Sequence, residues 1–290
     1  MKYCDKILIL GSSGFVGRNI YEYLCKKKYR VVAPKRVELD LLDTKKVFEY
    51  ISNCNPDIIV LSVVNMFSIE ENLKIYFNLE CCKNNFKKMI TIGSGAEYDL
   101  KNRQSLTPES SFGKEIPSDV YGLSKYIISK DIEKNSHNII NLRVFGLYGK
   151  YENYMRRVIS NNICRAICGK DTVIQKNRVF DFLYIDDFLC MLEIFIKFDA
   201  KYGNYNICTS NPVELKEVLN IIKATSRNNK KIIVKEYGES PEYSGSNLRF
   251  IQEFGEFNFT SIESGIKQLY LWYLRLPNIK QICNEIKNID

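Results

Sequence analysis

The chain has 290 residues and a net charge of +8, from 42 lysine and arginine residues against 34 aspartate and glutamate residues. Its hydrophobic fraction of 45% and charged fraction of 26% are those of a globular protein that buries one large core, or a core with a smaller lobe. No stretch of 18 apolar residues occurs, which excludes a membrane-spanning helix, and "MKYCDKILILGSSG" reaches glycine too early for a signal peptide.

The positive charge and the cysteines both have simple interpretations. A net positive charge attracts anionic ligands or nucleic acid, but here the charges are scattered and no nucleic-acid-binding motif is present, which favours a solvated lysine-rich surface. The ten cysteines form no CxxC pair, and several lie in apolar segments, as Cys190 does in "FLCML". We therefore expect reduced cysteines in a cytoplasmic protein, with no nucleic acid or membrane as partner.

The first half of the chain alternates short apolar strands with amphipathic helices. The predicted strands are Lys6–Leu10, Arg30–Ala33, Asp57–Ser62, Lys88–Ile92 and Asn138–Arg143, and helical patterns lie near 15–27, 43–53, 70–86 and 118–134. Such alternation is typical of a parallel sheet with helices on both faces. The later strands are apolar without alternation, as expected when both faces are buried.

The pattern loosens beyond about residue 150. Helices are predicted at 154–168, 186–198, 212–224 and 262–273, and short strands near 172–175, 204–207 and 231–235. Asn211 is the expected N-cap of the third of these helices, with Pro212 in its first turn. Because no polar linker separates the halves, we expect a second lobe packed on the first.

The first strand leads into a glycine-rich loop. Gly11, Gly14 and Gly17 form GxxGxxG after "ILIL" and before a helical pattern, the context that a dinucleotide-binding loop requires. Glycines let the backbone approach a pyrophosphate, whose charge is stabilised by the helix N-terminus. The alternative is a simple turn. We therefore predict an α/β, Rossmann-type doubly wound parallel sheet over residues 1–150. Residues 151–290 would form mainly a smaller α/β substrate-binding lobe, with part of the chain returning to the sheet.

The end of the second strand indicates which dinucleotide binds. Proteins that bind NAD usually have an acidic residue there, whereas this chain has Lys35 and Arg36 in "APKRVELD". Two cations beside the ribose favour a 2′-phosphate, so we predict NADP(H), with Ser13 as a further contact to that phosphate. A solvated loop with basic residues is the alternative. Asp40 is expected near the adenine.

Tyr121 and Lys125 form one of three YxxxK matches, the others beginning at Tyr23 and Tyr126. Position selects Tyr121, because it opens the helix after the fourth strand and Ser94 ends that strand, at the carboxyl edge where ligands bind in such sheets. Lys125, one turn along the helix, is expected to favour the phenolate, so that Tyr121 serves as general acid or base. Ser94 would hydrogen-bond the same substrate oxygen. The single histidine, His137, is expected to be structural, and no metal-ligand cluster is present.

Together these motifs resemble the extended short-chain dehydrogenase/reductases, which modify nucleotide-linked sugars. "LRVFGLYG" (142–149), "FDFLYIDD" (180–187) and "IESGIKQLYLWY" (262–273) resemble further family segments. "KRVELDLLD" (35–43) is similar to the GDP-L-fucose synthase branch, whose arginine at the position of Arg36 contacts the 2′-phosphate. The resemblance also implies cofactor contacts from Phe15, Val16, Leu41, Ser62, Val63 and Phe145, and from Tyr121 and Lys125.

This sequence departs from the family pattern at positions that determine which reaction a family member catalyses. Fucose synthases have an epimerisation cysteine where this chain has Ala96, and their partner histidine aligns near Arg157. Dehydratases carry Thr-Asp-Glu where this chain has Ser94-Gly95-Ala96. The resemblance therefore implies a C4-ketoreductase in which NADPH delivers hydride to a 4-keto-6-deoxy sugar, hexose or heptose, and Tyr121 protonates the oxygen.

The resemblance also implies substrate contacts, a nucleotide and an oligomeric state. The substrate contacts are Ser94, Asn153, Arg157, Arg165 and Arg178, although a surface salt bridge is an alternative for each arginine. The nucleotide is expected to be GDP and the assembly a homodimer formed through two helices, one bearing Tyr121. The alternative functions are a C4-epimerase with tightly bound NAD and a non-catalytic NADP-binding protein. Residues 275–290 lie beyond the resemblance.

Overall fold

The computed structural model describes residues 5–99, 104–135 and 138–288. The elements of its first half are β1 (Lys6–Leu10), α1 (Phe15–Lys26), β2 (Arg30–Val32), α2 (Thr44–Cys54), β3 (Ile58–Leu61), α3 (Ile69–Glu80), β4 (Lys88–Ser94), α4 (Val120–Asn135) and β5 (Ile139–Val144). Each of the five predicted strands and four predicted helices is present, with bounds shifted by a few residues. His137 lies outside the described residues.

The second half contains shorter strands between helices. Its elements are β6 (Leu147–Tyr148), α5 (Val158–Ile167), β7 (Thr172–Ile174), β8 (Val179–Phe180), β9 (Leu183–Tyr184), α6 (Ile185–Lys197), β10 (Asn204–Ile207), β11 (Val213–Glu214), α7 (Leu215–Ser226), β12 (Ile232–Val234), α8 (Leu248–Phe254), α9 (Ile262–Leu274) and α10 (Ile279–Lys287). Small pairs form between β6 and β9, β7 and β12, and β8 and β11. We find no helix in the described ranges that combines the length and apolarity needed to cross a membrane.

A six-stranded sheet with the order β10-β5-β4-β3-β1-β2 forms the centre of the molecule, and all its strand pairs are parallel. Alternate residues of β1 enter different cores: Ile7 and Ile9 pack on one face, and Leu8 and Leu10 on the other. Helices cover both faces, which confirms the predicted doubly wound α/β fold. The last strand of the sheet, β10, comes from beyond residue 150 and pairs with β5.

The predicted start of the helix after residue 210 is wrong. Val213 and Glu214 instead pair antiparallel with Phe180 and Val179, and α7 begins only at Leu215. The pairing with β8 holds these residues extended, and the Leu215 amide then donates to the Arg178 carbonyl. Tertiary pairing therefore overrides the local capping signal of Asn211 and Pro212.

The expectation that the cysteines are reduced is contradicted for one pair. Cys168, at the end of α5, forms a disulfide with Cys283 in α10. The two residues are 115 positions apart, so sequence spacing gave no hint of the contact. Lys170 also donates to the carbonyls of Ile286 and Lys287, and Tyr154 to the carboxylate of Glu285. The segment beyond residue 275 is therefore bonded to α5 and to the residues that flank it.

The disulfide predicts a thiol count. Among the nine cysteines that the structure describes, two are bridged and seven are free, so titration of the denatured, unreduced protein should find two thiols fewer than titration after reduction. Reduction, or the Cys283→Ser substitution, should lower the free energy of unfolding of the protein by about 2–4 kcal/mol, because the unfolded chain gains conformational freedom. Ten thiols without reductant, or an unfolding curve that reductant does not change, would contradict the bridge.

Candidate active site

The glycine loop brings the start of α1 against the ends of β1 and β3. Gly11 has φ of +95°, which favours glycine, and its carbonyl accepts from the Gly14 amide at 3.1 Å. A Cβ at Gly17 would lie 2.6 Å from both the Gly11 carbonyl carbon and Ser62 Oγ. Ser62 Oγ in turn donates to the Leu10 carbonyl. Backbone approach this close is possible only without side chains at Gly11 and Gly17.

The N-terminus of α1 is suited to an anion. Gly14 is its N-cap and provides no side-chain hydrogen bond, and the first turn contains no acidic residue. Its first amides therefore have no side-chain acceptor, and the helix dipole favours negative charge there. Ser13 and Gly14 are exposed at this point, whereas Phe15 and Val16 are partly buried. These residues fit the pyrophosphate of a dinucleotide.

The other predicted cofactor residues lie in the loops that follow β2 and β3. Lys35 and Arg36 are exposed in a turn closed by a hydrogen bond from the Lys35 amide to Glu38, and over the described ranges neither side chain has an ion-pair partner. Asp40 accepts from the Leu42 amide, and Leu41 is buried before α2. Val63 Cγ2 would lie 2.9 Å from a Cβ at Gly11. Lys35 and Arg36 are therefore free to meet a phosphate.

Ser94 and Tyr121 meet at the carboxyl edge of the sheet. Ser94 ends β4 and caps a turn of 3₁₀-helix, Gly95–Glu97, by accepting from the Ala96 amide at 3.1 Å. The start of α4 packs directly on this turn, since a Cβ at Gly122 would lie 2.6 Å from the Ala96 carbonyl oxygen. Tyr121 immediately precedes Gly122 in this first turn of α4, and it lies close enough to Ser94 for the serine hydroxyl to lower its pKa. The pair can therefore hold one carbonyl oxygen of a substrate.

The electrostatics of Tyr121 differ from the expectation that Lys125 promotes its ionisation. Burial raises the pKa of Tyr121 to about 12, while the neighbouring Ser94 hydroxyl and the charge of Arg157 act to lower it. Burial also lowers the pKa of Lys125 to about 8, and its ammonium donates to the Ile92 carbonyl at 2.6 Å. Tyr121 is therefore protonated at neutral pH and is poised to donate a proton.

Two predicted contacts are enclosed by the protein. Phe145 has no exposed surface: a Cβ at Gly95 would lie 2.5 Å from its ring, and Tyr243 packs on it at 5.2 Å between centroids. Arg165 is buried in α5, where Nε donates to the Asp171 carbonyl at 2.6 Å. The structure therefore does not present Phe145 to a cofactor or Arg165 to a diphosphate, because both serve the packing of the chain.

The remaining substrate candidates are placed differently. Arg157 is exposed at the N-cap of α5, and its charge lowers the pKa of Tyr121, so it belongs to the same site. Asn153 is exposed, and its side-chain oxygen accepts from the Met155 amide. Arg178 is partly buried, which lowers its pKa, while nearby Tyr243 raises it. Of the predicted substrate contacts, Arg157 and Arg178 are therefore the arginines that could hold an anionic substrate.

Sequence reasoning missed Glu97 and Tyr243. Glu97 is fully buried beneath Ser94, and its side chain accepts from the Ser94 amide at 3.0 Å. The spacing Ser94-x-x-Glu97 is that of a capping box and could have identified it. Tyr243 stacks on Phe180 at 4.6 Å and raises the pKa of Tyr121. No local pattern signals Tyr243, because it reaches the site from a distant segment.

Comparisons with known proteins agree with this geometry. The model of the NAD dependent epimerase/dehydratase family matches residues 7–208. The chain is 24% identical to GDP-L-colitose synthase of Yersinia pseudotuberculosis, over 94% of this chain and 99% of the relative.

Two solved structures share the fold. MlghC, a GDP-mannoheptose C4 reductase from Campylobacter jejuni with NADP bound, superposes with a TM-score of 0.80 at 22% identity, over 94% of this chain and 99% of that chain. A GDP-L-fucose synthetase from Naegleria fowleri bound to NADP superposes with a TM-score of 0.81 at 19% identity, over 97% and 96%.

The close approach at Gly17 predicts a loss of dinucleotide binding. In Gly17→Ala the new methyl group meets the backbone of Gly11, so the loop must move away from α1. We expect binding of the dinucleotide, measured by calorimetry, to weaken by at least about tenfold, equivalent to about 1.4 kcal/mol. Gly203→Ala is the matched control, because its Cβ would lie at an ordinary 3.4 Å from Ile132. Equal affinity of the two variants would contradict the cradle.

Proposed function

The chain belongs to the NAD dependent epimerase/dehydratase family, and within it we propose an NADPH-dependent C4-ketoreductase of a nucleotide-linked 4-keto-6-deoxy sugar. The sugar is a hexose or a heptose, the nucleotide is GDP, and the product is used in surface polysaccharide. The observation that carries the proposal is that Ser94 and Tyr121 lie together at the sheet edge that also carries the glycine loop, with Ala96 where fucose synthases carry their cysteine.

The protonation state of Tyr121 supports reduction. A ketone that accepts hydride needs a proton on its oxygen, and a phenol with a pKa of about 12 carries that proton at neutral pH. The Ser94 hydroxyl can donate to the same oxygen while negative charge develops. Bound NADPH would supply the hydride. The aliphatic side chain of Ala96 cannot remove a proton from a neighbouring carbon.

The cofactor assignment rests on charge. Lys35 and Arg36 are exposed after β2, at the position where an acidic residue would favour NAD. Guanidinium and ammonium groups bind a 2′-phosphate through charge-assisted hydrogen bonds. Both solved neighbours described above carry NADP, which agrees with the proposal.

The substrate assignment rests on two cations and on the relatives. Arg157 lies close enough to Tyr121 to lower its pKa, and Arg178 lies beside Tyr243. A nucleotide diphosphate that spans these cations would bring its sugar to Ser94 and Tyr121. GDP is chosen because the colitose synthase and both solved neighbours are named for GDP-sugars. Homodimerisation through two helices that include α4 stays a prediction.

The function is tested with 4-keto-6-deoxy sugars linked to GDP, CDP, UDP or dTDP. We expect NADPH oxidation with at least one of them, and a C4-hydroxyl product identified by NMR. Tyr121→Phe should lower kcat by about 10²- to 10⁴-fold, because it removes the proton donor.

Tyr126→Phe is the matched control. Tyr126 begins the next YxxxK match in the same helix and packs against Phe112 at 5.0 Å between ring centroids. We expect its kcat to stay within about twofold of the wild type. Full activity of Tyr121→Phe would refute the mechanism, whereas bound NAD in the purified protein without net NADPH consumption would indicate a C4-epimerase.

The cofactor preference is tested by the double substitution of Lys35 and Arg36 with alanine. Each charge-assisted hydrogen bond contributes about 1.5–3 kcal/mol, so the Kd for NADPH should rise by at least about tenfold. The Kd for NADH should change little, because NADH lacks the 2′-phosphate. Lys26→Ala, an exposed charge in the last turn of α1, is the control. An equal loss for NADPH and NADH would disprove the assignment.

A further inference from the structure

A buried carboxylate lies directly beneath the turn that carries Ser94. Glu97 has no exposed surface, and neither has its partner Arg143 on β5. Arg143 Nε and Glu97 Oε2 are 2.5 Å apart. Asn141 Nδ2 donates to both oxygens of the same carboxylate, at 3.0 Å each. Two side chains of β5, the strand that pairs with β4, therefore hold the Glu97 carboxylate in place.

The guanidinium of Arg143 is itself fixed in position. Nη2 donates to Ser129 Oγ of α4 at 2.6 Å, and Nη1 donates to Asn204 Oδ1 of β10 at 2.8 Å. The ring of Phe112 lies 3.9 Å from its central carbon. Because each arm has a partner, Arg143 presents Nε to Glu97 in one orientation.

The held carboxylate contacts the turn above it. Glu97 Oε1 accepts from the Ser94 amide at 3.0 Å, and Ser94 Oγ accepts from the Ala96 amide, which closes a reciprocal capping box. Space beneath the turn is tight, since a Cβ at Gly93 would lie 2.7 Å from Asn141 Nδ2. The position of Ser94 therefore follows the position of the carboxylate.

We propose that Glu97 is a positioning residue, which uses its buried ion pair with Arg143 to hold the Ser94 hydroxyl at the reacting oxygen of the substrate. The inference rests on the proposed function, because it assigns Ser94 to the carbonyl oxygen. Glu97 itself touches neither substrate nor cofactor. It acts through the Ser94 backbone.

The charge of Glu97 also affects the pKa values of Tyr121 and Lys125, the other two catalytic candidates. The titratable groups that face it are Arg143 from β5, Tyr98 from its own turn, and Tyr121 and Lys125 from α4. Glu97 opposes the effect of burial on Lys125, whose pKa is lowered to about 8. Removal of the charge should therefore lower the pKa of Lys125 further, so that the ammonium is lost at a lower pH.

Glu97→Gln is the informative substitution. A glutamine has a single acceptor oxygen, which cannot serve the Ser94 amide and Arg143 Nε as the two carboxylate oxygens do. We expect kcat to fall by on the order of 100-fold, as for a small displacement of a catalytic group, with KM for the sugar nucleotide and for NADPH within about threefold. The basic limb of the kcat–pH profile should move to lower pH.

Glu109→Gln is the matched control. Glu109 is also buried, and its carboxylate accepts from the Asn206 amide at 2.9 Å. It does not contact Ser94, and its charge acts on Tyr98 and Cys208. Its loss should lower the melting temperature without a change in kcat or in the pH profile. If Glu97→Gln behaves in the same way, Glu97 is merely structural and the proposal is overturned.

Two further measurements keep the proposal testable if Glu97→Gln does not fold or if the wild type is inactive with the sugars supplied. If Glu97→Gln does not fold, Arg143→Lys replaces it, because lysine keeps the charge but lacks the arms that orient it; unchanged kcat in that variant overturns the proposal. Crystal structures of the wild type and the variant should show Ser94 displaced, and an unmoved Ser94 overturns the proposal without any substrate. An inactive wild type with a displaced Ser94 in the variant would support the positioning role and refute only the proposed reaction.

Discussion

The buried ion pair between Glu97 and Arg143 joins the parts of the molecule that form the candidate site. Glu97 follows β4 and Arg143 lies on β5, and their partners come from β4, β5, α4 and β10. An ion pair without solvent is stable only if its remaining hydrogen-bonding groups are satisfied, and loss of one partner costs about 3–5 kcal/mol. The described contacts meet that condition through Asn141, Ser129 and Asn204. The turn of Ser94, the start of α4 and the edge of the sheet therefore keep a fixed relation to one another.

The opposite side of the site depends on backbone approach. Gly17 lies against Gly11 and Ser62, which brings the first turn of α1 to the carboxyl ends of β1 and β3. The cofactor side therefore relies on the absence of side chains, whereas the catalytic side relies on a dense polar network. Both sides end at the same edge of one sheet, so hydride donor and proton donor can approach one carbonyl group.

Local patterns predicted the first half of the fold well, for a physical reason. A strand segment buried on both faces is apolar throughout, as β3 is and as β1 is after its first residue, and such runs are visible in the sequence. Where a prediction from the local sequence was wrong, a contact between distant segments is usually the reason. Pro212 precedes a strand because β8 pairs with β11, and Cys168 finds Cys283 across 115 residues. Arg165 was expected to contact the substrate, but it is buried and its Nε donates to the Asp171 carbonyl. The pKa of Tyr121 likewise depends on burial, which spacing from Lys125 does not reveal.

We propose that hydride passes from NADPH to C4 of the sugar while Tyr121 supplies the proton. NADPH deuterated separately at each face of C4 of its nicotinamide ring tests this most directly, with the product examined by NMR and mass spectrometry. We expect that deuterium from one of the two labelled forms appears at C4 of the sugar and nowhere else. Deuterium retained in the oxidised cofactor with both forms, or found at another sugar carbon, would contradict it.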